Sequence, residues 1–283
     1  AGSRLDSHEI RGLCFLYPAR RQLEIALKIE PYYVPALALM VNIELQSGLP
    51  GKALEHVGQI QKTRPDLYLG YQLAGDAWLA SKDYTKALVA YSKASDIEPS
   101  SALAVKRSDG LLRSGQPEEA TAVLLAWLND HVDDTRVLQH LGTTYDNLGQ
   151  KAEAIRTYEK LLALQPDNVV ALNNLAFLYS QASNPKALEL AERAYQQNSE
   201  VPGIQDTYGW ILVQQGQIDQ GRRLLEQAME KLSEIPEVRY HYAVALLKSG
   251  EKTKANQLLT QLLQSKHSFE GREDARVLLE SSN

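Results

Sequence analysis

The sequence predicts an all-α solenoid of stacked helical hairpins. Helix-like segments close on a proline at Pro31, Pro65 and Pro99, each 34 residues after the last, and the same ending recurs at Pro166. Small residues recur at matching places between the prolines, as at Gly75 and Ala87 and again at Gly142 and Ala154. Glycines 48, 115, 149, 216 and 250 fall where the first helix of each pair must stop, which a left-handed residue does readily. A two-helix unit of this length cannot bury its apolar face alone and must stack on its neighbours. With 283 residues, 44% of them hydrophobic, the chain has enough apolar material for a core that grows along one axis.

Taken in order, residues 4–31 form a partial or distorted unit. Pro18 to Glu30 reads as the second helix of a hairpin, with its partner inside Arg4 to Leu16. Full repeats follow from about residues 34, 68, 101, 135, 169, 202 and 236, so that the array spans 1–268. The repeat from 101 has drifted: it carries Ser108 and Trp127 where small residues are usual, and Val132 followed by Asp133-Asp134 in place of the proline. The drift reads as tolerated by the fold, with a functional bend as the alternative, so altered curvature is looked for there first. The repeat from 169 is one residue shorter in its turn, and Pro117 and Pro185 suit the first turns of second helices, the latter after Asn184 as an N-cap. Residues 269–283 read as an amphipathic capping helix, with Val277 and Leu278 on one side, and the array is expected to end on it. The opening Ala1-Gly2-Ser3 reads as a cloning remnant on a piece of a longer chain.

With each proline counted as position 32, the unit from Tyr68 has Gly75 at position 8, Trp78 at 11, Ala87 at 20, Tyr91 at 24 and Ala94 at 27. The unit from Thr135 has Leu138, Leu141, Gly142, Tyr145, Ala154 and Tyr158 at positions 4, 7, 8, 11, 20 and 24. Both resemble the tetratricopeptide repeat (TPR) throughout. The physical sense of the pattern is that small residues at 8 and 20 let helices A and B approach, while larger ones fill the space around them. The resemblance implies a right-handed superhelix whose concave groove is lined by helix A, mainly at positions 2, 5, 9, 12 and 13.

Carried over, those positions give a candidate partner-binding groove. It comprises Asn42, Gln72, Asp76, Asp109, Arg136, Gln139, Thr143, Asp146 and Asn147, then Asn173, Phe177, Asp206, Trp210 and Tyr240. Chaperone-tail adaptors of the family need Lys at position 5 and Asn at 9 of the first repeat. Here the pair is Ala38 and Asn42, which argues against that role. A wall of Asn, Gln and Asp suits hydrogen bonding to an extended backbone or a sugar, and Phe177, Trp210 and Tyr240 add flat apolar faces. Trp210 is expected to be an exposed anchor whose removal spares the fold.

The remaining chemistry is sparse. Six histidines are scattered without metal-ligand spacing, and no phosphate loop or nucleophile elbow is present, so neither an enzyme nor a metal or cofactor site is expected. A formal net charge of -5 argues against binding nucleic-acid backbones. The apolar runs are far shorter than the roughly 18 residues that span a bilayer. The single cysteine, Cys14, reads as a small buried hydrophobe rather than a reactive thiol.

The strings ALNNLAFLY, KALELAERAY, YGWILVQQGQ, RYHYAVALLKSGE and FEGREDARVLLE follow one another from Ala171 to the C-terminal region. Together they resemble the C-terminal part of the TPR proteins of bacterial exosortase (PEP-CTERM) and exopolysaccharide systems. That resemblance implies a periplasmic or envelope location and a parent chain that is often lipid-anchored. The expected function is a non-catalytic scaffold for a protein or peptide partner, with an exported polysaccharide as the alternative ligand.

Overall fold

The computed structural model describes residues 7–265, 269 and 271–282, with side chains from residue 18 onward. Ala1-Gly2-Ser3, the Cys14 side chain, and Glu270 and Asn283 of the expected cap lie outside these. Every element among the described residues is an α-helix. The chain forms two compact units, divided between His140 and Leu141.

Unit one holds α1 (Ser7–Ile29), α2 (Val34–Gln46), α3 (Pro50–Thr63), α4 (Tyr68–Ala80), α5 (Tyr84–Ile97), α6 (Ser101–Arg113) and α7 (Pro117–Asp130), with the first residues of α8 (Thr135–Asn147). Consecutive helices pair antiparallel as hairpins α2–α3, α4–α5 and α6–α7, and each hairpin packs on the next. In unit two the order continues through α9 (Lys151–Leu164), α10 (Val169–Gln181), α11 (Ala187–Gln197), α12 (Pro202–Gln214), α13 (Ile218–Lys231), α14 (Pro236–Lys248), α15 (Lys252–Gln264) and the cap α16 (Arg272–Ser282). There helix A touches both its own helix B and the next helix A, as α10 does with α12 and α12 with α14.

This arrangement explains the burial pattern. A B helix buries one narrow stripe, such as Ala53, Val57 and Ile60 on α3 or Ala255, Leu259 and Leu262 on α15, at the spacing of one helical face. An A helix is enclosed on several sides, so α14 buries Val238 and then every residue from Tyr240 to Leu246. Close approach is set by the small residues. A Cβ on Gly209 would lie 3.0 Å from the Gly221 carbonyl oxygen, and one on Gly221 only 2.5 Å from that of Gly209, so α12 and α13 meet backbone to backbone.

Helix starts follow local chemistry. Pro50, Pro117, Pro202 and Pro236 open α3, α7, α12 and α14, where a missing N–H costs nothing. Asp83, Ser100 and Asn168 accept from the backbone N–H of Lys86, Leu103 and Ala171. Five A–B turns place glycine at positive φ, from 70° at Gly48 to 89° at Gly250, while Lys82 and Ser183 occupy the equivalent places at 61° and 54°.

Two local features differ from the expectation, and a third shows how the drifted repeat is packed. Residues 7–29 form one helix that runs through Pro18 rather than a hairpin. An interior proline removes one helical hydrogen bond and crowds the carbonyl four residues back, yet the helix continues through Pro18, and no glycine follows Leu16 to reverse the chain. This helix is held to α2 by an ion pair between Arg20 and the buried Glu44, 2.9 Å apart. Second, α11 starts at Ala187, and Asn184 accepts from the Lys186 N–H in a turn that precedes it. Third, the drifted repeat accommodates Trp127 by stacking it on His131, centroids 3.9 Å apart, and by an indole N–H bond to Asp134 at 2.9 Å. Asp134 also accepts from the Val137 N–H at the start of α8, so two structural contacts replace the proline ending.

Candidate partner-binding face

In unit one the expected residues lie along successive A helices. Asn42 and Arg136 are exposed, and Gln72, Asp76, Asp109 and Gln139 are partly so. Asp76 is already engaged: Tyr91 donates its hydroxyl to it at 2.7 Å and Lys106 approaches the same oxygen at 2.6 Å. Burial and the Asp76 charge together push the Tyr91 phenol far up. Asp109 faces His140 at 3.3 Å, and burial lowers the His140 pKa despite that carboxylate.

Unit two repeats the motif. Tyr158 is fully buried, its hydroxyl bonds Thr143 at 3.1 Å, and Asn174 donates to it at 2.9 Å. Asp146 and Asn173 are partly exposed and Asn147 is exposed. Position 24 thus reaches from the interior to position 9 on the A-helix face in both tyrosine-bearing repeats.

The aromatic residues converge further along unit two. Phe177 on α10, Trp210 on α12 and Tyr240 on α14 line one pocket of about 180 Å³, together with His241. His241 stacks on Trp210 with centroids 4.3 Å apart and planes 16° from parallel, and Trp210 meets Tyr240 at 5.9 Å. The imidazole is fixed from behind, because its Nδ1 lies 2.9 Å from Asp206, itself only 8% exposed. Glu237 and Asp274 stand at the pocket wall with Gln181 and Gln214, and Gly271 of the cap lets the Tyr240 ring close beneath. A Cβ at residue 271 would lie 2.9 Å from that ring.

Two expected groove residues are therefore not exposed. Tyr240 is buried against Phe269 and Gly271, and Asp206 is committed to His241. Burial and the neighbouring Asp274 raise the Tyr240 pKa. Trp210 is only partly exposed and packs on the core cluster around Val213, Leu225 and Tyr240, so it is no isolated surface anchor. Sequence reasoning missed His241, whose available signal was its place beside Tyr240, one repeat on from Asp206 and Trp210. It also passed over Glu237, which stands at groove position 2. Gly271 and Asp274 carry no repeat register and gave no signal.

Comparison with known proteins identifies the repeats in the second half of the chain. Tetratricopeptide-repeat models match residues 135–168, 157–189 and 212–270. Residues 135–189 and 212–270 carry tetratricopeptide repeats. The chain is 25% identical over 118 residues to a TPR repeat-containing protein of Pseudomonas aeruginosa, covering 41% of this chain and 20% of that protein. Over 97 residues it is 32% identical to the photosystem I assembly protein Ycf3 of Prochlorococcus marinus, covering 33% of this chain and 56% of that one. The TPR chain thus spans between a fifth and about half the length of these curated relatives. Its fold is similar to a chain of the APC/C hetero-tetramer Cut9–Hcn1, with a TM-score of 0.66, 16% identity, and coverage of 94% of this chain and 52% of that one. No described helix is long and apolar enough to cross a membrane.

Proposed function

We propose that this TPR chain is a non-catalytic scaffold that holds an extended protein segment against the A-helix face of unit two. The observation that carries the reading is the pocket at Phe177, Trp210 and Tyr240, where rigid aromatic walls from three successive A helices meet polar side chains. Such walls offer large contact area at small entropic cost, and aromatic anchors commonly dominate binding energy. TPR arrays as a class present their partners with repeated helix faces, and one relative is named for assembly, which accords with bringing components together. The C-terminal sequence strings support a finer reading: work in a bacterial envelope apparatus for protein sorting or exopolysaccharide export, in a parent chain that is lipid-anchored. A saccharide stacked on Trp210 beside Gln181 and Gln214 is the alternative occupant.

Arrays of peptides and of glycans, probed with the wild-type chain, Trp210→Ala and Gln214→Ala, test the proposal. Peptide binding is expected, weakened by about 2 kcal/mol or more in Trp210→Ala. Because Trp210 also packs on the core, the same variant should lose roughly 3 kcal/mol of stability, so binding is measured below its melting temperature. The exposed Gln214 reports on the mouth without disturbing the interior. Glycan binding alone, or peptide binding unchanged by Trp210→Ala, would overturn the peptide reading.

A further inference from the structure

The walls of the unit-two pocket have a chemical bias. Four rings gather at its walls: Trp210, Tyr240 and His241 lie within about 6 Å of one another, and Phe177 stands 6.2 Å from His241, with His241 covering one face of Trp210. Aromatic faces attract cations electrostatically, and the attraction grows when water is excluded. Both charged side chains among the lining residues, Glu237 and Asp274, are carboxylates. Neither forms an ion pair with a cation among the described residues.

Among the described residues, Lys248 and Arg272 are committed elsewhere. Lys248 donates to the Val213 carbonyl at 3.3 Å. Arg272 donates to the carbonyls of Leu263 and Ser265 at 2.7 and 3.1 Å while lying over Phe269. The His241 imidazole is held against the Asp206 carboxylate, 2.9 Å away. The pocket therefore combines aromatic rings with two carboxylates that no described cation pairs. Its volume, about 180 Å³, is well above the roughly 10–15 Å³ that a single water needs, which leaves room for an ammonium or guanidinium group with its adjacent methylenes.

We infer that this pocket receives a lysine or arginine side chain of the partner segment, with the cation between the Trp210 and Tyr240 rings and the Glu237 and Asp274 carboxylates. The inference rests on the scaffold reading and specifies the partner: a peptide with a basic anchor rather than an acidic tail. The long methylene stem of either side chain would cover the apolar rim while its charged end reaches the carboxylates.

A displayed library of short random peptides, selected on the full chain, tests this. Lysine or arginine should dominate one position among the selected peptides. A synthetic copy of the best one should lose affinity several-fold to about ten-fold when that residue becomes glutamine, and again when Glu237→Gln and Asp274→Asn are combined in the chain. Calorimetry should show binding weakening as salt rises. Asp274 is exposed, so Asp274→Asn alone serves if the double variant melts early, and the peptide substitution requires no change to the protein. Selected peptides that lack a basic preference, or an affinity indifferent to both sets of changes, would overturn the basic-anchor inference and leave the scaffold reading standing. Failure to select any peptide would overturn both.

Discussion

Replacing Gly142 by alanine adds a single carbon at the point where α8 meets α9. The new Cβ would lie 2.7, 2.9 and 3.0 Å from three ring atoms of Tyr158, against the roughly 3.5–4.0 Å of an ordinary carbon contact. The ring must retreat by most of an ångström, yet Tyr158 is fully buried and its hydroxyl is tied to Thr143 and Asn174. Overpacking of this kind costs about 1–3 kcal/mol, and a strained or lost hydrogen bond adds about 1. Helix propensity returns about 1 kcal/mol, because alanine replaces glycine inside a helix. The net expectation is a loss of about 2 kcal/mol, or a melting temperature lower by about 4–8 °C for a unit of this size. Gly58→Ala is the matched control: the same substitution in α3, where an added Cβ meets nothing within 4 Å, should gain about 1 kcal/mol. Thermal melts followed by circular dichroism compare the two directly. A Gly142→Ala chain that melts with or above the wild type would show that the assumed A–B contact does not constrain the repeat.

Two further expectations concern the turns and the interior phenols. Lys82 is exposed and sits at φ 61° in a place where five other turns use glycine, so Lys82→Gly should stabilise by about 1 kcal/mol; a lower melting temperature would contradict this. Burial pushes the Tyr179 and Tyr242 phenols up to about 12, with Glu159 and Glu226 as added causes, and it raises Tyr91, Tyr158 and Tyr208 as well. An acid whose folded pKa is raised stabilises fully below its unfolded value, near 10, and loses that contribution as the pH climbs toward the folded value. Urea midpoints should therefore hold steady below about pH 10 and fall above it, less steeply in Tyr242→Phe; a midpoint that is flat to about pH 11 would refute the linkage.

The all-helical class and the hairpin period were legible because punctuation in such an array is local. A proline that opens a helix or a glycine at positive φ acts through its own backbone, and Gly48, Gly115 and Gly216 are readable without knowing what they pack against. Lys82 and Ser183 do the same job without the residue type that announces it. The site was legible only in part. Phe177, Trp210 and Tyr240 follow from repeat position, and all three line one pocket. Whether such a ring is exposed depends on the next hairpin and the cap, as the contact of Tyr240 with Phe269 and Gly271 shows. His241 is invisible to a one-repeat pattern because Asp206, its partner, lies 35 residues away.

The tyrosines at position 24 limit what the A-helix face can evolve into. Where Tyr91 and Tyr158 send hydroxyls outward, position 9 is occupied by groups able to answer them, Asp76 and Thr143. In the repeats from 202 and 236 the same interior place is held by Leu225 and Leu259, and position 9 is Trp210 and Val244. An apolar residue at position 9 opposite a tyrosine would strand a buried phenol, a penalty of about 1–3 kcal/mol, whereas opposite a leucine it incurs no such penalty. Repeats with a phenol inside are thereby restricted to a polar vocabulary at that rung, and those with an aliphatic interior are free to acquire rings. A change of partner that calls for a new aromatic contact would then have to begin in the core, with the loss of a hydroxyl, before it could appear on the surface.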